Sequence, residues 1–345
     1  MGYGSILSRS RKASSFYPTI RIIGVTGDKI PTIQKGKAVA ISEAVGSNYI
    51  AKPWAFGEYE VKVDGITIAK VKVTQLIEYG VAAPSSTLNN NSWEVIRLIA
   101  DQGAGANYWN VGDAKSIVLN GTVQGYTFSN LTINAFIIGI NHNAELEGAN
   151  NIHFQIGKIG SIAVALCDNN YGNNGSSNGF RMNLSNTNVG GWERSYGRNT
   201  LLGNSNTPIS PFANSLVAAL PSDLRTVIKS VTKYTDNTGN SNNTPDAVTA
   251  TIDYLFFLAE FEVRGVRTYA NQYEQNYQTQ YDYYKAGNSK IKYRHNATST
   301  AVWYWCRSPY YNDNVDFCGI FPSGDGGASS DNANDSRGLA PALVV

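Results

Sequence analysis

The chain is poor in charge. Asp, Glu, Lys and Arg make up 16% of its 345 residues, against about 25% in an ordinary soluble domain. Twenty-eight basic side chains against 26 acidic ones leave a net charge of +2, which offers no basic field for nucleic acid and no acidic one for cations. Cysteine is scarce too. Cys167, Cys306 and Cys318 are three, widely spaced, which is no disulfide framework, and they read as free, half-buried thiols. The histidines, His142, His153 and His295, stand far apart, and no Cys/His cluster has zinc spacing. No metal and no cofactor is therefore expected. No stretch approaches the roughly 18 apolar residues of a membrane span. The opening Met-Gly-Tyr-Gly-Ser-Ile has neither the apolar core of a signal peptide nor, at Ile6, the Ser/Thr of a myristoylation motif. The expectation is a protein that stays where it is made or leaves by a route needing no signal.

Polarity is carried instead by uncharged groups: Asn 37, Gly 33 and Tyr 21. Aromatic and β-branched residues are too plentiful for intrinsic disorder. A surface of Asn, Ser, Gly and Tyr is the chemistry of adaptable contact surfaces such as antibody loops.

Residues 1–16 are polar and Ser-rich and read as an arm ordered, if at all, by a partner. Residues 17–83 read as a small all-β sandwich. Strands are expected at 19–25, 38–42, 58–63, 66–73 and 75–81, and Asp64-Gly65 between two alternating runs signals a hairpin. Residues 84–91 read as a linker. From 92 to 345 the pattern predicts an irregular α+β domain. Its expected elements are a short amphipathic helix from Trp93 to Gly103, strands at 116–119, 136–140 and 153–156, a helix at 222–232 with Ser222 as N-cap, and a buried strand at 255–263. Six tyrosines between 269 and 284 read as structural packing or a subunit interface. Asn-rich loops at 168–188 and 236–243 carry no indicated function.

Several chemical motifs fail on context. Gly175-Ser176-Ser177-Asn178-Gly179 matches a nucleophile elbow, but no helical pattern follows it. Asp168-Asn169-Asn170-Tyr171-Gly172 opens like a calcium loop, but Gly179 stands where the bidentate Glu belongs. His142, between two asparagines, reads as a hydrogen-bonded loop residue. Asp113 and Lys115 read as a turn. No catalytic residue is expected.

The last 43 residues differ in kind. They open with Trp303-Tyr-Trp305-Cys-Arg307-Ser-Pro309 and close with Gly338-Leu-Ala-Pro341-Ala-Leu. These ends read as framework: Trp303 and Trp305 for a core, Arg307 for an anchoring fork, Pro309, Gly338 and Pro341 for set turns. Between them the candidate ligand contacts are Tyr310, Tyr311, Asn312, Asp313, Asn314 and Asp316. A second group holds Ser323, Asp325, Ser329, Ser330, Asp331, Asn332, Asn334 and Asp335. Such residues favour irregular backbone and leave side chains free to bond outward.

Residues 92–345 resemble the bacterial and phage domain family DUF6273. The resemblance rests on Trp93-Glu-Val-Ile-Arg97, Tyr108-Trp-Asn-Val-Gly-Asp-Ala-Lys115, Ile138-Gly-Ile-Asn-His-Asn143, Gly191-Trp-Glu-Arg-Ser195, Leu220-Pro-Ser-Asp-Leu-Arg225 and, most specifically, Trp305–Pro309 and Gly338–Leu343. Cys306 stands where the family usually has Leu, and Ala340 where many members have Arg. The family is similar to the C-type-lectin-like fold of formylglycine-generating enzymes and of the variable proteins of diversity-generating retroelements. The resemblance implies a C-terminal ligand face, and a phage tail protein in the virion that binds a bacterial surface receptor, protein or glycan. Adenine-directed mutagenesis of its variable segment, about 303–345, is implied as well. Residues 17–83 are similar to attachment modules of phage tail proteins. Contacts with other tail proteins and a homo-oligomer, a trimer among the options, would follow, since weak sites gain by multivalency. Neither nucleic-acid binding nor membrane insertion is expected. The competing readings are a non-diversified structural tail or baseplate protein, an adhesin on the bacterial cell surface, and an enzyme of the formylglycine-generating type. The last would need a redox-active or copper-binding pair at Cys306 and Cys318.

Overall fold

A computed structural model describes residues 18–168, 179–323 and 326–345. The arm read at 1–16, most of the 168–179 loop and Asp325 lie outside the described residues. The chain divides into two compact units, Met1–Ser85 and Ser86–Val345.

The first unit is all β. Its strands are β1 (Thr19–Ile23), β2 (Thr32–Lys35), β3 (Ala38–Ile41), β4 (Glu43–Val45), β5 (Asn48–Ala51), β6 (Gly57–Val63), β7 (Ile66–Val73) and β8 (Glu78–Ala82). They form two four-stranded sheets, ordered β4-β5-β1-β8 and β3-β2-β6-β7. Alternation sets the inner faces: Tyr59, Val61 and Val63 point inward from β6, joined by Ile20, Ile22, Ile33 and Ile68, all at most 7% exposed. The Asp64-Gly65 hairpin forms as expected. Both residues have positive φ, 53° and 78°, which a type I′ turn requires. Sequence alternation missed β2, β4 and β5, whose four or fewer residues are too short for a period to register.

The second unit is α+β. Its strands are β9 (Ala114–Val123), β10 (Tyr126–Ile140), β11 (Ile152–Ile159), β12 (Ile162–Ala165), β13 (Val231–Asp236), β14 (Val248–Asp253), β15 (Leu255–Phe257), β16 (Lys292–Arg294), β17 (Ala297–Val302), β18 (Tyr304–Pro309), β19 (Asp316–Ile320), β20 (Ala328–Asn332) and β21 (Pro341–Val344). The central sheet runs β15-β21-β11-β12-β16-β17, with β10 joining β11 to β9. The apolar C-terminal segment is thus a core strand: β21 is inserted between β11 and β15 with every residue buried. β13 pairs with β14, and β18-β19-β20 form a separate antiparallel sheet. The last 43 residues are therefore more regular than their turn-rich sequence implies.

Helix α1 (Trp93–Asp101) matches the amphipathic reading. Ser92 caps it by accepting from the Val95 amide at 3.2 Å, and Trp93, Ile96 and Ile99 are buried. Other expectations need correction. The helix read at 222–232 is one turn, Ser222–Arg225, and its N-cap is Pro221, not Ser222. The β-branched residues Val227, Ile228 and Val231, spaced as on a helix face, are buried, and Val231 opens β13; branched side chains suit a strand better. The strand read at 255–263 stops at Phe257. A helical turn, Glu260–Arg264, follows, held by the Glu262 carboxylate accepting from the Ala259 amide at 3.0 Å. The linker read at 84–91 is in part ordered structure: Leu88 is buried, and Asn89 Oδ1 accepts from the Ser116 amide at 2.8 Å.

Candidate ligand-binding face

The face is built from a buried salt bridge upward. Arg307, on β18, has no exposed side-chain surface. Its guanidinium forms a two-pronged pair with Glu262, with Nη2 donating to Oε1 at 2.8 Å and Nη1 to Oε2. Nε donates to Thr235 Oγ1 at 2.7 Å and Nη1 to the Phe257 carbonyl at 3.0 Å. One side chain thus ties β18 to β13, β15 and the 260–264 turn. Burial works against the Glu262 charge, but Arg307 and Lys233 beside it hold the carboxyl well below the usual carboxylate range. Such a planar fork is what arginine supplies and lysine does not. Trp305, also buried, donates from Nε1 to the Phe180 carbonyl at 3.1 Å. The framework reading of Arg307 and Trp305 thus has a physical basis. Pro309 and Gly338 are buried, and Pro341 opens core strand β21. Trp303 is only half-buried, with its ring against Phe321 at 4.8 Å and under the Arg337 guanidinium at 5.4 Å.

The loop 310–316 joins β18 to β19 and is held by one fully buried side chain, Asn188. Asn188 Nδ2 donates to the carbonyls of Asp316 (2.9 Å), Asp313 (3.1 Å) and Tyr310 (3.3 Å). Its Oδ1 accepts from the Asn240 amide at 2.8 Å, and its own amide donates to the Asn314 carbonyl at 2.9 Å. The Asp313 carboxylate turns inward, accepting from the amides of Val315 and Asp316 at 2.9 and 2.8 Å. Gly239 lies against this hub with φ +56°, and a Cβ there would meet the Asn188 carbonyl at 2.0 Å. Sequence reasoning assigned Asn188 to a loop without a role. In a chain with 37 asparagines nothing local distinguishes the one that is buried.

What remains outward is mostly aromatic and amide. Tyr310 packs edge-on against Tyr269 (5.1 Å) and Tyr311 (5.5 Å), and the Arg267 guanidinium lies 5.4 Å over the Tyr311 ring. All four are half-exposed, and Asn312 and Asn314 are exposed. Tyr269 thus adds to the face from the tyrosine-rich stretch that was read as structural. Strand β20 brings Ser329, Ser330, Asp331 and Asn332 to the edge of the small sheet, each half-exposed, with Asn332 across from Asp316. Asn332 Oδ1 accepts from Asn186 at 3.0 Å. Ser323 is exposed and Asn334 half-exposed.

Asp313 is not alone among the expected contacts in being engaged within the fold. Asp335 is 1% exposed and accepts from Arg337 Nη2 at 3.1 Å, so it serves the framework rather than a ligand. Asp331 also pairs with Arg337. Burial pushes its carboxyl up to about 6, against the pull of Arg337.

Beneath the face lies a buried polar cluster that the sequence did not announce. Lys233 Nζ donates to Glu147 Oε2 at 2.5 Å, Tyr281 Oη at 2.9 Å and Glu262 Oε1 at 3.2 Å. His142 stacks on the Tyr281 ring at 3.7 Å, and burial, then the nearby Lys233 charge, lowers its pKa to about 3. His142, Glu147 and Glu262 could each turn a ligand atom toward one point. Lys233 donates to both of those carboxylates, so its ammonium takes the cation position. Glu274 accepts from the Asp236 amide (2.9 Å) and Ser308 Oγ (2.6 Å), yet burial raises its pKa to about 7. The three cysteines are free and buried, and burial drives the Cys306 and Cys318 thiols well above their ordinary pKa.

Residues 178–345 match the family model described as Domain of unknown function (DUF6273). The match takes in Gly191–Ser195, Leu220–Arg225 and both framework motifs around the face, but not the earlier motifs at 93–143. No curated protein and no solved structure matches the chain.

Proposed function

We propose that the protein is a binding protein, a receptor-binding component of a phage tail, whose C-terminal unit presents loop 310–316 and strand β20 to a ligand on a bacterial surface. One observation carries the reading: outward tyrosine, asparagine and serine side chains stand on a backbone fixed by fully buried groups, Arg307 with Glu262 and Asn188 with three loop carbonyls. A rigid mount with adaptable tips is the arrangement of binding loops. It lets surface residues change while the fold does not, which is what a diversified segment needs. Tyr provides contact area at low entropy cost, and Asn and Ser provide bonds of either polarity. The lectin-like ancestry of the unit, the virion location and the attachment role of the first unit belong to the same proposal.

Thiol chemistry of the formylglycine-generating type has little support. It needs an accessible thiolate, and Cys306 and Cys318 are 0% exposed with raised pKa values. The test of diversification is genomic. A reverse-transcriptase gene beside this one, with a near-copy of the codons for about residues 303–345 differing at adenines, is the expected result. Absence of any such copy refutes diversification; receptor binding is tested separately, by binding of the labelled protein to bacterial cells.

A further inference from the structure

The first unit carries an edge unlike the rest of its surface. β3 ends its sheet, and no described strand pairs with its outer side. Ser42, just past β3, donates its amide inward to the Pro31 carbonyl at 2.9 Å. Antiparallel pairing alternates, so Ala38 and Ala40 bond inward with Ser42. Val39 and Ile41 therefore turn their N–H and C=O groups to the open edge. Their side chains are 57% and 71% exposed. Across the same face the neighbours are polar: Gln34, Glu60 and Lys70 follow Val39, and Thr32 and Lys62 follow Ile41. Natural edges are usually guarded by charge or proline at this place. Within β3 neither charge nor proline interrupts the apolar pair; exposed Lys37 flanks it in the preceding turn, and Ile30, 55% exposed, stands one residue before Pro31.

We infer that β3 is a self-association edge and that its occupant is β3 of a second copy of this chain, paired antiparallel about a two-fold axis through Ala40. Self-complementarity carries the choice. In that register Val39 of one copy stands opposite Ile41 of the other, so the residues with open backbone groups exchange both hydrogen bonds. Each also gains an apolar cross-strand partner. The same register brings Lys37, in the turn before β3, opposite Glu43, the first residue of β4, both exposed and of opposite charge, twice over by symmetry; Glu43 already pairs with Lys52 of its own chain at 3.2 Å. An isologous contact requires this kind of pairing of i with j and j with i, and cross-strand pairs of these types each add a few tenths to one kcal/mol. The inference does not depend on the ligand face of the second unit.

Sedimentation velocity on the full chain, from low micromolar to submillimolar concentration, tests it. A monomer–dimer equilibrium is expected. Val39→Lys with Ile41→Lys, both at exposed positions, is expected to weaken association at least about tenfold, with an unchanged thermal midpoint at dilutions where wild type is monomeric. Lys37→Glu alone is expected to weaken it, and Lys37→Glu with Glu43→Lys and Lys52→Glu, which keeps the intrachain pair between positions 43 and 52, to restore it. A chain that stays monomeric overturns the inference, as does an oligomer that survives the double-lysine variant. A triple swap no better than Lys37→Glu alone overturns the register and the inference with it.

Discussion

Asn188→Asp is the most informative single change in the second unit, because it replaces one heavy atom, Nδ2, and leaves the volume unchanged. Asn188 Nδ2 donates to the carbonyls of Tyr310, Asp313 and Asp316, and lies 3.4 Å from Asp313 Oδ1. The introduced carboxylate removes the donor and faces those oxygens with a charge. An orphaned buried acceptor costs about 1–3 kcal/mol, and two carboxylates about 4 Å apart repel by up to about 4 kcal/mol at an effective dielectric of 20. Relaxation of the half-exposed Asp313 takes part of this back, so a loss of about 2–4 kcal/mol is expected. Asn188→Ala removes the same donor without the charge and should cost about 1–3 kcal/mol. Urea denaturation at pH 7 measures both, and the gap between them should close below pH 4 as the introduced group is protonated. Hydrogen exchange adds a local readout, since the Val315 and Asp316 amides should lose protection more than those of β21. An Asn188→Asp protein as stable as wild type would refute the claim that Asn188 holds the loop through its amide donor, and one equal to Asn188→Ala at pH 7 would refute the charge repulsion.

Further outcomes follow from buried titratable groups. Burial raises the Glu274 carboxyl from 4.5 to about 7, so the folded state holds its proton longer than the unfolded state. The stability it contributes is full below pH 4.5 and is lost as pH rises through 7, by about 3 kcal/mol. Glu274→Gln should flatten that slope in pH-dependent urea melts, and an unchanged slope would count against the buried-carboxyl account. Lys292 has the opposite sign. Burial, then the Lys158 charge, lowers its pKa from 10.5 to about 7, so wild-type stability should rise between pH 7 and 10.5. Lys292→Met should remove this rise and stabilise the protein at pH 6, since Gln155 Oε1 keeps the Tyr284 hydroxyl at 2.6 Å; a variant less stable at pH 6 would contradict it.

Local rules made parts of the fold legible. Asp64-Gly65 announced its turn because both residues tolerate positive φ, and Ser92 with the Trp93, Ile96, Ile99 spacing announced α1. The 222–232 segment misled because branched apolar residues at three- and four-residue spacing fit a helix face as well as the end of a turn and the start of a buried strand. Only the pairing of its last two residues with β14, Val231 with Asp253 and Thr232 with Ile252, decides between them. At the face, Arg307 and Trp305 could be read as framework because such residues are seldom left without partners. Asn188, Lys233 and Glu262 could not be singled out, since their roles come from partners 29 to 128 residues away. Asp335 failed as a ligand contact for a similar reason: its composition class matched its neighbours, and only the fold buries it under Arg337.

Binding of the full-length, fluorescently labelled protein to a panel of bacterial cells tests the central claim most directly. Wild type is expected to bind at least one strain saturably. Tyr310→Ala with Tyr311→Ala should weaken that binding by about thirtyfold or more, as the loss of an aromatic hot spot of about 2 kcal/mol does. Glu94→Ala on α1, with the same thermal midpoint as wild type, should bind unchanged. Undiminished binding by a folded double-alanine variant would place the contact elsewhere and contradict the account.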